Sequence, residues 1–138
     1  MTSGFVLDAS TTLKWAFDDE SSSYAVDVLE LLSDGFAVVP SLWGYEVANA
    51  LAVGIRRSRI TAEEASTFAA DLGTLDIRVA GAVPDSGLLA LEAAAAGLSA
   101  YDTSYLLLAR DLGMPLATRD RALGRAARAN GVDVLAPH

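Results

Sequence analysis

A chain of 138 residues with no cysteine, and with a single histidine at its last position (His138), can build neither a disulfide framework nor a thiolate zinc site. It also lacks the histidine for a Ser-His-Asp or Cys-His reaction of its own. The formal net charge of −8 argues against broad non-specific binding to nucleic acid, and the 52% hydrophobic share suffices for a real core in one domain over residues 1–138.

Any metal here must be held by oxygen, which points to magnesium or manganese. Met1-Thr2-Ser3-Gly4-Phe5 has no basic region followed by an apolar stretch, and no apolar run is long enough to span a bilayer. A cytoplasmic protein with no membrane partner is the expectation. Lys14 is the one lysine. The arginines gather at Arg56, Arg57 and Arg59 and again at Arg119, Arg121, Arg125 and Arg128.

In chain order, Gly4-Phe5-Val6-Leu7 reads as a short buried strand ending in Asp8. A short helix is expected from Ser10 to Phe17, then an acidic turn at Asp18-Asp19-Glu20, then a rough helical stripe of Tyr24, Val26, Leu29, Leu31 and Leu32 that ends near Gly35. Phe36 to Val39 is a second strand, stopped by Pro40. Ser41 stands where an N-cap belongs, ahead of a helix from Leu42 to about Arg57.

Thr61-Ala62-Glu63-Glu64 has capping-box spacing and opens a helix to about Leu72. Ile77 to Ala80 is a third strand. Pro84-Asp85 opens an alanine-rich helix to Ala96, with Gly97 as its C′ residue. Ser99 to Asp102 again has capping-box spacing, before an apolar helix from Thr103 to Asp111. Met114 to Thr118 is a fourth strand, Arg121 to Ala129 a helix, and Val132 to Leu135 a fifth strand. Apolar strands alternating with helices predict an α/β fold: a three-layer α/β/α sandwich around a mainly parallel five-stranded sheet.

Sites in open α/β sheets form beyond the carboxyl ends of the strands. Asp8 follows the first strand and Asp120 the fourth, so both belong on that rim. Glu46 and Asp102 lie near the starts of helices that also face it. Each acid has a structural explanation as a cap or as a charge favoured at a helix N-terminus. Their surroundings set them apart. Glu46 sits within Leu42-Trp43-Gly44-Tyr45-Glu46-Val47-Ala48-Asn49-Ala50-Leu51, Asp102 precedes an apolar helix, and Asp8 closes a buried strand. Partly buried carboxylates brought together resist ionising, and a divalent cation reverses that penalty.

Four stretches resemble, in order, the motifs of PIN-domain ribonucleases, in particular toxins of the VapC type. They are Val6-Leu7-Asp8-Ala9-Ser10 with Leu13-Lys14-Trp15; Pro40-Ser41-Leu42-Trp43 with Glu46 to Leu51; Leu98-Ser99-Ala100-Tyr101-Asp102 with Tyr105-Leu106; and Leu116-Ala117-Thr118-Arg119-Asp120 with Leu123. The resemblance implies a PIN-like fold and a quartet, Asp8, Glu46, Asp102 and Asp120, holding one or two Mg2+ or Mn2+ ions. It implies hydrolysis of RNA by activated water, leaving 5′-phosphate and 3′-hydroxyl ends. A homodimer and a cognate VapB-type antitoxin are implied as partners.

Ser10, Asn49 and Thr118 stand where supporting polar groups belong, and each reads equally well as a cap or a structural hydrogen-bonding group. Arg119, beside Asp120, is the candidate for contacting RNA phosphate. The helical segments around Trp15, Phe17, Trp43, Tyr45 and Leu51 are candidate walls of an antitoxin groove, although core is the plainer role for each.

Three other readings remain. A phosphatase of the haloacid dehalogenase type needs a second acid two residues after Asp8, where this chain has Ser10. A receiver-like phospho-acceptor wants a later lysine, and Lys14 lies inside the first helix. A non-catalytic PIN-fold binding module would not need an intact quartet.

Overall fold

The computed structural model describes residues 3–17, 22–81 and 83–136. The acidic turn expected at 18–20 and the terminal His138 lie outside them. Among the described residues the order is β1 (Gly4–Leu7), α1 (Ala9–Leu13), α2 (Ser23–Leu31), β2 (Phe36–Pro40), α3 (Leu42–Arg56), α4 (Ala62–Leu72), β3 (Ile77–Ala80), α5 (Ser86–Ala96), α6 (Ala100–Leu112), β4 (Leu116–Ala117) and α7 (Arg121–Ala129).

The four strands form one parallel sheet in the order β3-β2-β1-β4. Register is fixed by pairs such as Val6 with Val38 on one side and Val6 with Leu116 on the other. Successive strand residues point to opposite faces, and both faces of β1, β2 and β4 are covered, which is why those strands are apolar, while the edge strand β3 exposes Arg78 and Val79. Phe5, Leu7, Ala37, Val39 and Ala117 pack beneath Tyr24, Val28 and Leu32 of the α2 region. Val6 and Leu116 pack on the opposite face against Tyr105, Leu106 and Ala109 of α6 and Leu123 and Ala127 of α7. A third cluster joins α1, α3 and α4 through Ala9, Val47, Leu51 and Ala65, with Phe17 and Ile60.

Local chemistry explains most boundaries. Thr61 and Glu64 form the reciprocal capping box their spacing predicts, with both hydrogen bonds at 3.0 Å. Gly97 ends α5 at φ +69°, the left-handed conformation glycine adopts without a Cβ clash. Gly35 turns the chain into β2 so close to the N-terminal segment that a Cβ there would overlap the Ser3 carbonyl oxygen.

Three expectations need correction. The fifth strand does not form among the described residues. Val134 makes a single parallel bridge to Leu116, through Leu116 N–H to Asp133 O (2.8 Å) and Leu135 N–H to Leu116 O (2.9 Å). The reason lies in β4, which is only two residues long. Pro115 before it has no N–H to donate, and the Thr118 N–H after it donates to the Tyr24 hydroxyl (3.1 Å) instead of to a strand. The sheet is therefore four-stranded.

Ser41 does not cap α3: its backbone is already helical (φ −58°, ψ −30°), and its side chain makes no capping hydrogen bond. The first helix stops at Leu13 rather than Phe17. Its continuation tightens into turns, with Lys14 N–H on Thr11 O and Trp15 N–H on Thr12 O, and the Trp15 indole N–H reaches across to the Ala25 carbonyl (2.8 Å). No described helix is long and apolar enough to cross a membrane.

Candidate active site

Chain order reverses at β1: the path runs outward through β2 and β3 and then crosses to β4 on the other side. That reversal is a topological switch point, where the loops after β1 and β4 diverge and leave a crevice. Asp8 leaves β1 on one side of it, and Thr118-Arg119-Asp120 leaves β4 on the other. Helices that run back from this rim begin there: α6 carries Asp102 in its first turn, and α3 carries Glu46 in its second.

Asp8 caps α1. Its Oδ1 accepts from Thr11 N–H at 2.9 Å and its Oδ2 from the Ser10 hydroxyl at 3.2 Å. The residue is only 4% exposed. Burial pushes its carboxyl above the usual range, opposed by the Thr118 hydroxyl and by hydrogen bonds from Thr11 and Ser10. Its backbone is braced from below: the Trp43 indole N–H donates to the Thr12 hydroxyl (3.0 Å), which donates to the Asp8 carbonyl (3.0 Å).

Asp120 caps α7, its Oδ1 accepting from Leu123 N–H at 2.8 Å, and its own N–H donates to the Thr118 hydroxyl at 3.1 Å. Thr118 is buried and ties the ends of β1 and β4 together at this point. Asp102 lies in the first turn of α6, where its N–H is capped by the Ser99 hydroxyl at 3.0 Å. Burial raises its carboxyl first, and the charges of Asp120 and Asp8 raise it further. Glu46 is raised by burial and then by Asp102 and Asp8, against the opposing hydrogen bond from Tyr105. Asp102 is thus within the field of Asp8 and Asp120, and Glu46 within that of Asp102 and Asp8.

The bond to Glu46 is a feature that spacing along the chain does not reveal. The Tyr105 hydroxyl, on α6, donates to Glu46 Oε1 on α3 at 2.6 Å. Tyr105 is 1% exposed, and burial together with the Glu46 carboxylate drives its hydroxyl far above its ordinary value, so it stays a donor at any working pH. One signal was available: the tyrosine lies three residues after Asp102, on the same face of one helix. Replacing it with phenylalanine should leave the packing in place and free the Glu46 carboxylate to swing. We expect Tyr105→Phe to weaken Mn2+ binding about 10- to 100-fold, the usual effect of removing a group that orients a ligand. Unchanged Mn2+ affinity in a folded variant would make the bond purely structural.

The other candidates divide. Ser10 and Thr118 do touch the acids. Asn49 is exposed and makes no hydrogen bond to any of the four. Of the proposed groove walls, Phe17 and Leu51 are core residues, and Trp15 and Trp43 are partly buried against the core clusters. Tyr45 alone is open, at 80% exposure. Its counterpart Tyr101, next to Asp102, is 67% exposed, so an exposed aromatic ring adjoins each of these two acids in the chain.

None of the four acids has a basic partner among the described residues. Carboxylate oxygens without a basic partner, three of the four at least partly buried, are donors of the kind a hard divalent cation takes. No three Asp, Glu or His side chains among the described residues are drawn together tightly enough to hold a metal ion by themselves.

No family model matches the sequence, and no curated protein matches it either. Solved structures do match. PAE2754 from Pyrobaculum aerophilum aligns at a TM-score of 0.72 and 25% identity, over 97% of this chain and 92% of that one. A PilT N-terminus domain protein, SSO1118 from Sulfolobus solfataricus P2, aligns at a TM-score of 0.47 and 16% identity, over 96% of this chain and 85% of that one. The chain thus shares its α/β architecture with PAE2754 over nearly its whole length.

Proposed function

We propose that this chain is a Mg2+- or Mn2+-dependent endoribonuclease with a PIN-like fold, acting in the cytoplasm as the toxin of a type II toxin–antitoxin pair. The observation that carries the reading is the set Asp8, Glu46, Asp102 and Asp120. These acids lie around the switch point of a parallel sheet, Asp8, Glu46 and Asp102 are raised by burial, Glu46 and Asp102 also by neighbouring acids, and none of the four has a cationic partner among the described residues. These four residues would hold the ion. When bound, it lowers the pKa of water and neutralises charge on the phosphate.

The chain's own part is positioning. Asp8 and Asp120 are fixed by their capping bonds, Glu46 by the Tyr105 hydroxyl, and Thr118 spaces the ends of β1 and β4. The exposed rings of Tyr45 and Tyr101 offer faces on which unpaired bases can stack, which favours single-stranded or loop RNA.

The test is cleavage of a panel of structured RNAs by the purified chain with Mg2+ or Mn2+, then with excess chelator. Metal-dependent cuts leaving 5′-phosphate and 3′-hydroxyl ends are expected. Full activity in chelator would remove the mechanism, and no cleavage of any RNA would favour the non-catalytic module. The phosphatase alternative is weakened by Ser10, whose hydroxyl supports Asp8 where that chemistry needs an acid.

Two partners belong to the proposal. A VapB-type antitoxin would neutralise the acidic cluster with an Arg side chain, whose fork matches carboxylates. Co-expression should relieve the growth arrest, and changing that Arg should restore the arrest. The second partner is another copy of the chain. Helix α5 is apolar nearly all round, yet it leaves Leu88 55% and Leu91 73% exposed, where a helix of that composition is normally covered. We expect a homodimer in sedimentation, and Leu91→Glu should shift it to monomer. A wild-type monomer at tens of micromolar would end this part.

A further inference from the structure

Beside the carboxylates lies a second, oppositely charged feature. A cleft of about 320 Å³ opens between the end of β4, the outer face of α7 and the segment around Leu135, and its walls include Tyr24, Arg119, Asp120, Arg121, Gly124 and Arg128. Along the chain only Arg119 stands out, and the rest of its cluster looks like solvated helix surface. In the fold, Arg121, Gly124 and Arg128 fall at i, i+3 and i+7 of α7, on one face. They converge on Arg119 across the cleft.

Three guanidinium groups thus share one concavity in a chain of net charge −8. None of the three has a carboxylate within ion-pairing distance among the described residues. Arg119 is held in place: its guanidinium carbon lies 5.1 Å from the centroid of the Tyr24 ring. That ring is itself locked, its hydroxyl donating to Leu135 O (2.9 Å) and accepting from Thr118 N–H (3.1 Å). Gly124 leaves the floor open. The one atom near a Cβ built there is Nη1 of Arg128, at 3.5 Å.

We propose that this cleft is a phosphate-binding subsite that seats an RNA phosphate flanking the one presented to the four acids. The inference rests on the nuclease reading and adds to it the path of the strand. Asp120 belongs to both features, lining the cleft and standing within the field of Asp102. A ligand lying across Asp120 must therefore offer anionic oxygen on both sides of it. A phosphodiester chain does this by its repeat, with one phosphate for the acids and their ion and the next for the arginines. Guanidinium forks match phosphate oxygens in pairs. A lone carboxylate ligand would satisfy the arginines and leave the acidic side unexplained.

The experiment measures RNA binding in chelator, so that cleavage plays no part. Fluorescence anisotropy is followed against salt for a labelled single-stranded RNA, with and without a 5′-phosphate. The proteins are the wild type, Arg121→Gln with Arg128→Gln, Gly124→Leu, and a control pair, Arg56→Gln with Arg57→Gln. The double cleft variant should lose about tenfold or more in affinity at low salt. Its log–log salt slope should become shallower by about 0.7, the change expected when one phosphate of a single strand is no longer neutralised.

Gly124→Leu keeps every charge, is favoured in a helix, and should lose affinity by filling the cleft. The control pair should behave as wild type. Equal losses on both RNAs place an internal phosphate in the cleft, and losses confined to the 5′-phosphorylated RNA place a terminal one there. Wild-type affinity and slope in both cleft variants would overturn the proposal, as would wild-type protein that binds an acidic peptide at the cleft and no RNA. Failure of the nuclease reading shows separately, as absence of metal-dependent cleavage by the wild type.

Discussion

Asp8→Asn should reduce metal-dependent RNA cleavage by at least two orders of magnitude while leaving the protein as stable as the wild type or more so. The two halves of this result come from two roles of one side chain. As a cap, Asp8 accepts the Thr11 N–H through Oδ1, and asparagine caps about as well, so the start of α1 should survive. As a charge, Asp8 sits 4% exposed beside Glu46 and Asp102, with no cation to compensate it. Removing that charge relieves desolvation and like-charge repulsion in the metal-free protein, and it also removes a ligand. Asp120→Asn should behave alike for catalysis, because its cap to Leu123 N–H is equally open to an amide oxygen. The measurements are a cleavage rate with Mg2+ and a thermal midpoint. A folded Asp8→Asn protein cutting at the wild-type rate would end the assignment of this site.

The thermal midpoint of the metal-free protein should depend on pH in an unusual direction, and a divalent ion should cancel much of that dependence. Asp8, Glu46 and Asp102 all have carboxyls raised above their ordinary values, with burial the largest cause in each. Unfolded, they titrate near 3.9 for aspartate and 4.3 for glutamate. Because the folded values are higher, the folded state holds more protons in the interval between. The stabilisation is complete below the unfolded values and is lost as pH rises through the folded ones. Glu64 and Asp76 shift downward and act in the opposite direction, but both are surface groups held by local contacts, to Thr61 and to Arg78.

At neutral pH, Mg2+ or Mn2+ at 100 times its dissociation constant should add about 2.7 kcal/mol, read as a rise of several degrees that chelator reverses. Asp8→Asn should lose most of the ion's effect. A midpoint indifferent both to pH between 4 and 7 and to the ion would mean that these carboxylates are not a coupled cluster.

Much of this site was legible in the sequence because its parts are local. An acid after an apolar strand, or three residues into a capped helix, declares its position by spacing alone, and parallel α/β topology then sends such positions to one rim. Asp8, Asp102 and Asp120 are readable in that way, as are the Thr61–Glu64 box and the Gly97 terminus, whereas Glu46, five residues into an uncapped helix, is marked by its apolar neighbours and by the family resemblance. What stayed hidden depends on partners distant in the chain. The Tyr105–Glu46 bond joins residues 59 positions apart on two helices, and the one local sign of it is that Tyr105 shares a helix face with Asp102. The expected fifth strand failed for a similar reason. Val132 to Leu135 carries a strand-like composition, but the neighbour it needed was cut to two residues by Pro115 and by the capture of Thr118 N–H by Tyr24. Ser41 had the right identity for a cap and the wrong backbone angles, which are set by the exit from β2. Arg119, Arg121, Arg125 and Arg128 read along the chain only as a cluster, and the concavity that Arg119, Arg121 and Arg128 line comes from the segment folded opposite α7.

The strand order also has a consequence for how the protein is made. β1 leaves the ribosome before β2, β3 and β4, yet it lies inside the sheet, and its second neighbour is β4, which emerges after the other three. Until residues 116–117 emerge, one edge of β1 has no partner, and Asp8 stands beside no Asp120. Pairings this distant along the chain close late and slowly, because the entropy of the whole intervening loop must be lost first. A nascent chain stalled before β4 would therefore display an open apolar edge and would lack Asp120 beside the other acids, so activity should appear only once β4 and Asp120 have emerged.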